Sequence, residues 1–351
     1  MTERTNPKPN WKKVTDVRST TAQRWCVGPL VAVLAGLVAV AGVSGPAAAE
    51  PGEDTGSESL REQLADAARG YLDAKTKLDQ SRQRQRQLQT QLTTVQSQLA
   101  TRNDAVGELA AAAYRTGPFA AASTLLTSDS PETLIDRFTL LEAVAAGENK
   151  QVRELTETRA AITQTKAAVD AQVREQQKQL GVMAQRKRQA EKALAQVGGA
   201  VSAGFSGSGG SAAPAPRNPD GSWPPESCSV NDPTTSGCIT PRTLHALNQA
   251  KAAGFTRYVS CYRSGTSGEH PKGRACDFAA QVGGFGGTAT GGDRTYGNNL
   301  AAYFVRNASN LGVLYVIWYR QIWMASTGWR TYYGSGTPSS DHTNHVHLSV
   351  Y

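Results

Sequence analysis

A seven-residue repeat of apolar side chains, recurring between Glu58 and Val197, is the strongest constraint on the fold. Its two rows in the first half read Leu64, Tyr71, Leu78, Gln85, Leu92, Leu99 and Val106, and Leu60, Ala67, Ala74, Ser81, Leu88, Val95 and Leu109. Apolar residues at this spacing form the seam of a coiled coil. The repeat breaks at 116–118 and resumes after Ser130-Pro131, a typical helix start. We therefore predict two long helices folded into an antiparallel hairpin.

Composition divides the chain into four segments. We assign residues 1–49 to a targeting segment, 50–197 to the coiled-coil hairpin, 198–217 to a flexible linker and 218–351 to a globular domain. The linker consists almost entirely of Gly, Ser, Ala and Pro, so it has little apolar surface with which to form a core.

The last segment mixes helix and strand signals. Helix patterns cover 240–253 and 298–312, and strand-like runs cover 257–262, 275–279, 313–318, 321–324 and 345–351. Short strands with two helices on one side are typical of an α+β domain. The predicted fold class is an α-helical antiparallel coiled-coil hairpin followed by a small α+β domain with an antiparallel sheet.

The first segment has the order of a secretory signal. A basic start precedes an apolar run from Cys26 to Val43, and the small residues Ala47-Ala48-Ala49 follow. This order predicts cleavage after Ala49. An uncleaved membrane anchor is the alternative, because about 18 apolar residues are just enough to span a bilayer. Both interpretations place the rest of the chain outside the cytoplasm, in the cell wall or at the membrane.

The cysteines agree with export. Apart from Cys26, the chain has four, and all lie in the last segment: Cys228, Cys238, Cys261 and Cys276. Four cysteines allow three pairings, of which we favour the local one, Cys228 with Cys238 and Cys261 with Cys276. The second bridge would join the end of one predicted strand to the start of the next, beside Asp277.

Charge gives little support for nucleic-acid binding. The net charge is +8, but six basic and two acidic residues in the first 49 positions supply +4 of it. The rest of the chain has no basic helix and no aromatic stacking platform, so we expect no nucleic-acid partner.

Four of the five histidines lie in two short segments near the C-terminus. His270 precedes Asp277 by seven residues, in a loop that leads into a predicted strand. His345 and His347 stand two apart on the last predicted strand, so both project from the same face. One metal ion can bind His270, Asp277 and one of that pair. Three N and O ligands leave a position for water, which is the pattern of a catalytic zinc site.

These segments carry a family resemblance. HPKGRACDF and HVH resemble the His-x2-Gly-x-Ala-x-Asp and His-x-His motifs of the zinc metallopeptidases that include lysostaphin, the D-alanyl-D-alanine carboxypeptidases and the penicillin-insensitive murein endopeptidases. Those enzymes cleave peptide bonds in peptidoglycan. The resemblance implies that His270, Asp277 and His347 bind zinc. It also implies that His345 is the catalytic histidine and that His342 is the additional active-site histidine of the endopeptidase branch.

Two further residues are candidates for the site. Arg263, in the segment CYRS, resembles an arginine that contributes to the substrate site of the carboxypeptidases, and its planar guanidinium suits a substrate carboxylate; a structural role is the alternative. Asp341 is a candidate to orient one of the histidines. The chain departs from the family at Gly268, where a serine is usual, and it lacks the carboxypeptidase glutamate before the last ligand. Endopeptidase and D,D-carboxypeptidase activity therefore both remain open.

The broken coiled coil resembles those of secreted cell-wall hydrolases and hydrolase activators that partner the FtsE/FtsX division transporter. This implies peptidoglycan and a membrane division complex as partners. A permanently active wall hydrolase would endanger the cell, so we expect the hairpin, or the glycine-rich stretch 283–292, to cover the site until a membrane partner moves it. The alternative function is a non-catalytic protein with a degenerate peptidase domain, which binds the wall or regulates a hydrolase.

Overall fold

The computed structural model describes residues 58–117, 120–127 and 130–351. The predicted signal or anchor at 1–49 lies outside these ranges. Within them, no helix is both long enough and apolar enough to cross a membrane.

The hairpin predicted from the heptad repeat is confirmed. Its arms are α1 (Glu58–Thr116) and α3 (Pro131–Leu194), and the short helix α2 (Ala120–Leu126) lies between them in sequence. Ser130 caps α3 by accepting a hydrogen bond from the backbone N–H of Thr133. Ser81 contacts Gln172 and Arg102 contacts Glu154, so the arms run antiparallel.

Two polar residues of the predicted seam face each other across the hairpin. The side-chain amide of Gln176 donates a 2.8 Å hydrogen bond to the side-chain oxygen of Gln85. Both side chains are half-buried. A paired amide in the seam costs little stability, whereas an unpaired one would lose its hydrogen bond without regaining water.

The C-terminal part is the predicted α+β domain. Its helices are α4 (Pro241–Ala252), α5 (Gly291–Arg306) and α6 (Ala308–Leu311). Its strands are β1 (Gly198–Val201), β2 (Val230–Asn231), β3 (Cys238–Ile239), β4 (Val259–Ser260), β5 (Ala275–Ala279), β6 (Val313–Trp318), β7 (Gln321–Met324), β8 (Gly328–Tyr332) and β9 (His345–Val350). Seven strands form one antiparallel sheet in the order β1-β8-β7-β6-β9-β5-β4, and β2 pairs with β3 separately.

The second helix differs from the sequence prediction, and strands β1, β2, β3 and β8 lie outside the predicted runs. The predicted helix 298–312 begins earlier, at Gly291, and is interrupted at Asn307, after which α6 ends at the left-handed Gly312. Strand β8 was not predicted, because GWRTY lacks a clear apolar alternation. It is held in the sheet by pairing with β7 on one side and β1 on the other.

The sheet has a different core on each face. Alternate residues of a strand point to opposite sides. Val316 and Trp318 of β6 pack with α4, α5 and α6, whereas Tyr315 and Ile317 point the other way. The base of the hairpin covers this second face with Leu60, Leu64, Ala65, Ala67, Ala68, Ala190, Ala193 and Leu194. The hairpin and the sheet therefore share a hydrophobic core.

The stretch 198–217 differs from the flexible linker that its composition predicts. Its first residues form β1, and the rest lies along the domain. The backbone N–H of Ala212 donates to Asn307 Oδ1 and that of Ala213 to Gln249 Oε1, both at 2.8 Å. Small residues make this course possible because they let the backbone approach the surface closely. A Cβ at Gly204 would lie 2.1 Å from Trp329 Cδ1.

Candidate metal centre

Pairing of β5 with β9 brings two predicted ligands together. Asp277 is the direct cross-strand partner of His347, so their side chains project from the same face of the sheet. This is the face that carries Tyr315 and Ile317. Val346 and Leu348 point to the opposite core, as the alternation along the last strand predicts.

The third predicted ligand arrives from the loop before β5. The backbone N–H of Gly273 donates a 2.9 Å hydrogen bond to the carbonyl of His270, which turns the chain back towards the sheet. Gly273 has φ 67°, and a Cβ there would lie 2.8 Å from Ile239 Cα. Glycine is required at this position because both the backbone conformation and the close approach exclude a side chain.

The donor atoms of these three side chains converge. His270 Nε2 lies 3.2 Å from Asp277 Oδ2, His347 Nδ1 lies 2.9 Å from Asp277 Oδ1, and the two imidazole nitrogens are 3.3 Å apart. All three residues are at most 1% exposed. Two imidazoles and one carboxylate, with one ligand atom each within 4.8 Å of the others, can hold a metal ion. This donor set is one that zinc accepts, so the residues fit the predicted cofactor.

Each histidine ligand is oriented through its other ring nitrogen. The Nδ1–H of His270 donates to the carbonyl of Cys261, which leaves Nε2 to face Asp277. His347 Nε2 lies 2.8 Å from the hydroxyl of Ser349, which leaves Nδ1 to face Asp277. The ring of Tyr315 stacks on His347 with an interplanar angle of 9°. Such partners fix the tautomer and the direction of a metal-binding imidazole.

The carboxyl of Asp277 is held in the form that binds metal. Its complete burial by itself raises the pKa, but electrostatic interaction with the imidazoles of His270 and His345 and the hydrogen bonds from His270 and His347 lower it more strongly. The pKa of Asp277 therefore lies well below its ordinary value. The group is ionised at neutral pH.

The two other clustered histidines lie beside the three ligands. His345 Nε2 is 3.5 Å from Asp277 Oδ1, and its Nδ1 is 2.8 Å from Asn344 Oδ1. The ring of His342 lies 4.7 Å from that of His345 and 5.8 Å from that of His347. His342 has φ 50°, an uncommon conformation for a residue with a side chain. The structure therefore brings together all four histidines that the sequence singles out.

Asp341 is placed differently from the prediction that it orients a histidine. Its carboxylate forms a 2.7 Å ion pair with Arg320 and accepts a 2.9 Å hydrogen bond from the backbone N–H of Gly334. The backbone carbonyls of Asp341 and His342 accept from the N–H groups of Arg320 and Tyr319. Among its described contacts, Asp341 thus supports the site through the backbone rather than through a histidine ring.

Arg263 lies at the edge of the cluster. Its guanidinium is 3.4 Å from Asp277 Oδ2, and its side chain is 21% exposed. The contact supports the structural role, since it adds a positive charge beside a buried carboxylate. The exposed part of the guanidinium has the geometry and charge to bind a carboxylate.

The favoured disulfide pairing is confirmed. Cys228 is bonded to Cys238, and Cys261 to Cys276. Two disulfides are typical of a protein that works in an oxidising, extracytoplasmic compartment. The second bridge adjoins the candidate metal centre, because Cys261 supplies the carbonyl that holds His270 and Cys276 is adjacent to Asp277.

Removing this bridge should weaken both the fold and the site. We expect Cys261→Ser with Cys276→Ser to lower the free energy of unfolding by about 3 kcal/mol, the chain-entropy value for a loop of about 15 residues. Metal affinity should fall by about 10- to 100-fold, as it does when partners of metal ligands are disturbed. Denaturant unfolding and zinc competition measure the two effects. The comparison variant is Cys228→Ser with Cys238→Ser; that bridge joins the segment before β2 to β3 and neither cysteine adjoins a predicted ligand, although Cys228 Sγ lies close to Gly273. We expect a smaller loss of zinc affinity there, and a loss equal to that of the first pair would contradict the assignment.

Ser349 was missed by the sequence analysis, although a signal existed. It stands two residues after His347 on the same strand, so its side chain must share the face of the ligands. We expect Ser349→Ala to lower zinc affinity by about 10- to 100-fold with little change in stability. Competition with a chromophoric chelator measures the affinity. Ser326→Ala is the control, a buried serine whose hydroxyl makes no hydrogen bond in the described part of the chain; an unchanged affinity in Ser349→Ala would remove the orienting role.

Comparison with known proteins identifies one similarity. A family model described as VldE, C-terminal domain, matches residues 235–343. The match covers less than half of the chain; it includes His270, Asp277 and His342 and ends before His345 and His347. No curated protein and no solved structure matches the chain significantly.

Proposed function

We propose that the protein is an exported, zinc-dependent peptidase that acts on the peptides of peptidoglycan. The observation that carries the proposal is the convergence of His270, Asp277 and His347, with two further histidines on the same side. Structural zinc sites usually have four protein ligands, whereas catalytic sites use three and leave a position open. The two disulfides support a site of action outside the cytoplasm.

The chemistry follows from the positions of the side chains. A zinc ion held by the three ligands supplies Lewis acidity towards a scissile carbonyl and the attacking water. In this proposal, His345 takes a proton from the nucleophile and returns it to the leaving amine. Asn344 fixes the orientation of the His345 ring, and the ring of His342 stands beside it as a second proton-carrying group. In this proposal, the exposed part of the Arg263 guanidinium binds a substrate carboxylate at the edge of the cluster.

The exposed end of the hairpin supports a second part of the proposal, a partner in a membrane division complex of the FtsE/FtsX type. Large apolar side chains are concentrated there, among them Tyr114, Leu126, Ile135, Phe138 and Leu140. Apolar groups that a monomer leaves exposed in a cluster often mark a contact surface.

One observation favours a non-catalytic regulator as the second candidate. The predicted ligands and the two other histidines are all buried, so a polymer cannot reach them in the described conformation. The complete ligand set favours the enzyme, because a degenerate site would have no need to retain three convergent donors and their partners. Bound zinc together with an absence of any hydrolysis would favour the regulator.

The direct test uses the zinc-loaded chain with cross-linked muropeptides. We expect hydrolysis that stops when the metal is removed and returns when zinc is restored. New amino termini at the cross-link would identify an endopeptidase, and free D-alanine would identify a carboxypeptidase. Products should be identified by mass spectrometry, both for the natural chain and for Leu60→Ala with Arg69→Ala, a variant that weakens the contact between the hairpin base and the sheet. The absence of products from both would reject the proposed activity.

A further inference from the structure

The candidate centre is closed to large molecules. His270, Asp277, His342, His345 and His347 are each at most 1% exposed. A peptide can be cleaved only if its scissile bond comes within about 3 Å of the proton-transfer group. The site must therefore open before a peptide of the cell wall can enter.

The element that covers the site is the base of α1. Between this helix and the histidines there remains a cavity of about 10 Å³. It is lined by Arg61, Leu64, Tyr315, Ile317, Ile322, Tyr332, His342 and His347. Such a volume holds about one water molecule. Arg61 and Leu64 thus fill the space through which a substrate would reach the imidazoles.

Apolar packing holds the base of α1 on the sheet. Leu60, Leu64, Ala67 and Ala68 are at most 4% exposed. They share a core with Tyr315, Ile317, Ile322, Met324 and Tyr332, which lie on the face that also carries the ligands. The helix therefore occupies the catalytic face itself and not a neighbouring surface.

Polar contacts join the same helix to the loop that carries His270. Arg61 donates a 3.1 Å hydrogen bond to the hydroxyl of Ser267, and Arg69 forms a 3.1 Å ion pair with Glu269. Glu269 is 1% exposed, and a buried carboxylate is costly without a partner. Lys272 and Arg274 also contact it, at 3.3 Å and 3.1 Å. Departure of α1 would therefore leave Glu269 paired within its own loop.

We propose that residues 60–69 of α1 are a built-in inhibitor that blocks access to the candidate metal centre, and that the enzyme becomes active when the hairpin base lifts from the sheet. The identity of the substrate rests on the proposed function, whereas the blocked access rests on the packing alone. The apolar contact keeps the site closed at rest. The retained partners of Glu269 make the opening reversible, because no unpaired charge is created in the loop that holds the first ligand.

The test weakens the contact without touching the predicted ligands. In the full chain, Leu60→Ala with Arg69→Ala removes one apolar and one ionic contact at the base. The control is Leu88→Ala with Arg82→Ala, which makes the same chemical changes farther along α1, away from the sheet. Leu88 is buried in the hairpin there, and Arg82 is exposed. Arg61→Ala is a third variant that enlarges the cavity and leaves the apolar contact in place. Circular dichroism establishes that each variant is folded.

Three rates are compared with those of the natural chain. They are hydrogen exchange of the amides of 60–69 in the metal-free protein, removal of zinc by a chelator in excess, and hydrolysis of a soluble cross-linked muropeptide. We expect all three to rise at least tenfold in the base variant and to stay within about twofold in the control. Arg61→Ala should accelerate zinc removal without accelerating exchange.

The outcomes separate this inference from the proposed function. Unchanged exchange and zinc removal in the folded base variant would overturn the inhibitor. Equal acceleration in the base variant and the control would also overturn it, because the effect would then be a general loosening of the hairpin. Faster exchange and zinc removal without hydrolysis would support the cover and reject the peptidase.

Discussion

Asp277→Asn is expected to lose stoichiometric zinc and, with it, all measurable hydrolysis. The carboxylate is the shared neighbour of both histidine ligands, and its pKa, held well below the ordinary value, keeps it negatively charged. Asparagine has almost the same shape but no charge. The loss of affinity should exceed the roughly 100-fold that removal of an outer partner can cost.

Elemental analysis of the dialysed protein measures the zinc content, and a chelator competition gives the affinity. His245→Ala is the matched control, because this fifth histidine lies on α4, where it contacts the carbonyl of Ala213 and no predicted ligand in the described residues. The control should keep one zinc per chain. One tightly bound zinc in Asp277→Asn would show that the metal, if present, is held elsewhere.

His345→Ala is expected to keep the metal and to lose the reaction. Its imidazole stands beside the three ligands without belonging to the convergent set. Removal of a group that transfers protons typically costs about 10²- to 10⁴-fold in rate. The zinc content and the exchange of the α1 amides should not change.

The rate should be measured in the Leu60→Ala, Arg69→Ala background, so that slow lifting of the hairpin base from the sheet does not mask the chemical step. His342→Ala in the same background provides a graded comparison, since the His342 ring lies 4.7 Å from that of His345 and His342 is not among the three predicted ligands. We expect a smaller loss there. A His345→Ala variant that hydrolyses at the full rate would exclude this residue as the proton-transfer group.

The hairpin and the convergence of His270, Asp277 and His347 could be predicted because their signals are local. A heptad repeat specifies a helical seam by itself, and the last strand places His345 and His347 on one face by its alternation alone. His270 and Asp277 are seven residues apart, so they can reach one metal ion only if a loop and then a strand lie between them. The chain forms this loop at Gly273 and this strand as β5. The confirmed pairing of Cys261 with Cys276 could be predicted for the same reason, because both cysteines lie within 15 residues of each other.

What the sequence could not predict depends on surfaces that are distant in the chain. Segment 198–217 has no periodicity, and its course follows from acceptors on α4, α5 and α6 and from the indole of Trp329. The sequence analysis expects the hairpin or the stretch 283–292 to cover the site, but it does not predict which residues of α1 lie over the histidines, because Leu60 and Leu64 already satisfy the heptad pattern. The ion pair of Asp341 with Arg320 could not be predicted either, because the two residues are 21 positions apart and share no motif.

The pairing of β1 with β8 also bears on how the protein can be divided. β1 follows α3 almost directly, so the last turn of the hairpin delivers a strand to the rim of the sheet. Without it, β8 would present a row of unsatisfied N–H and C=O groups, the usual template for intermolecular pairing. A fragment starting after Arg217 would therefore tend to self-associate through this edge. A fragment starting at Gly198 would keep the edge paired but would expose the apolar face that Leu60, Leu64 and Leu194 cover, so the smallest piece that behaves as a monomer should include both arms of the hairpin.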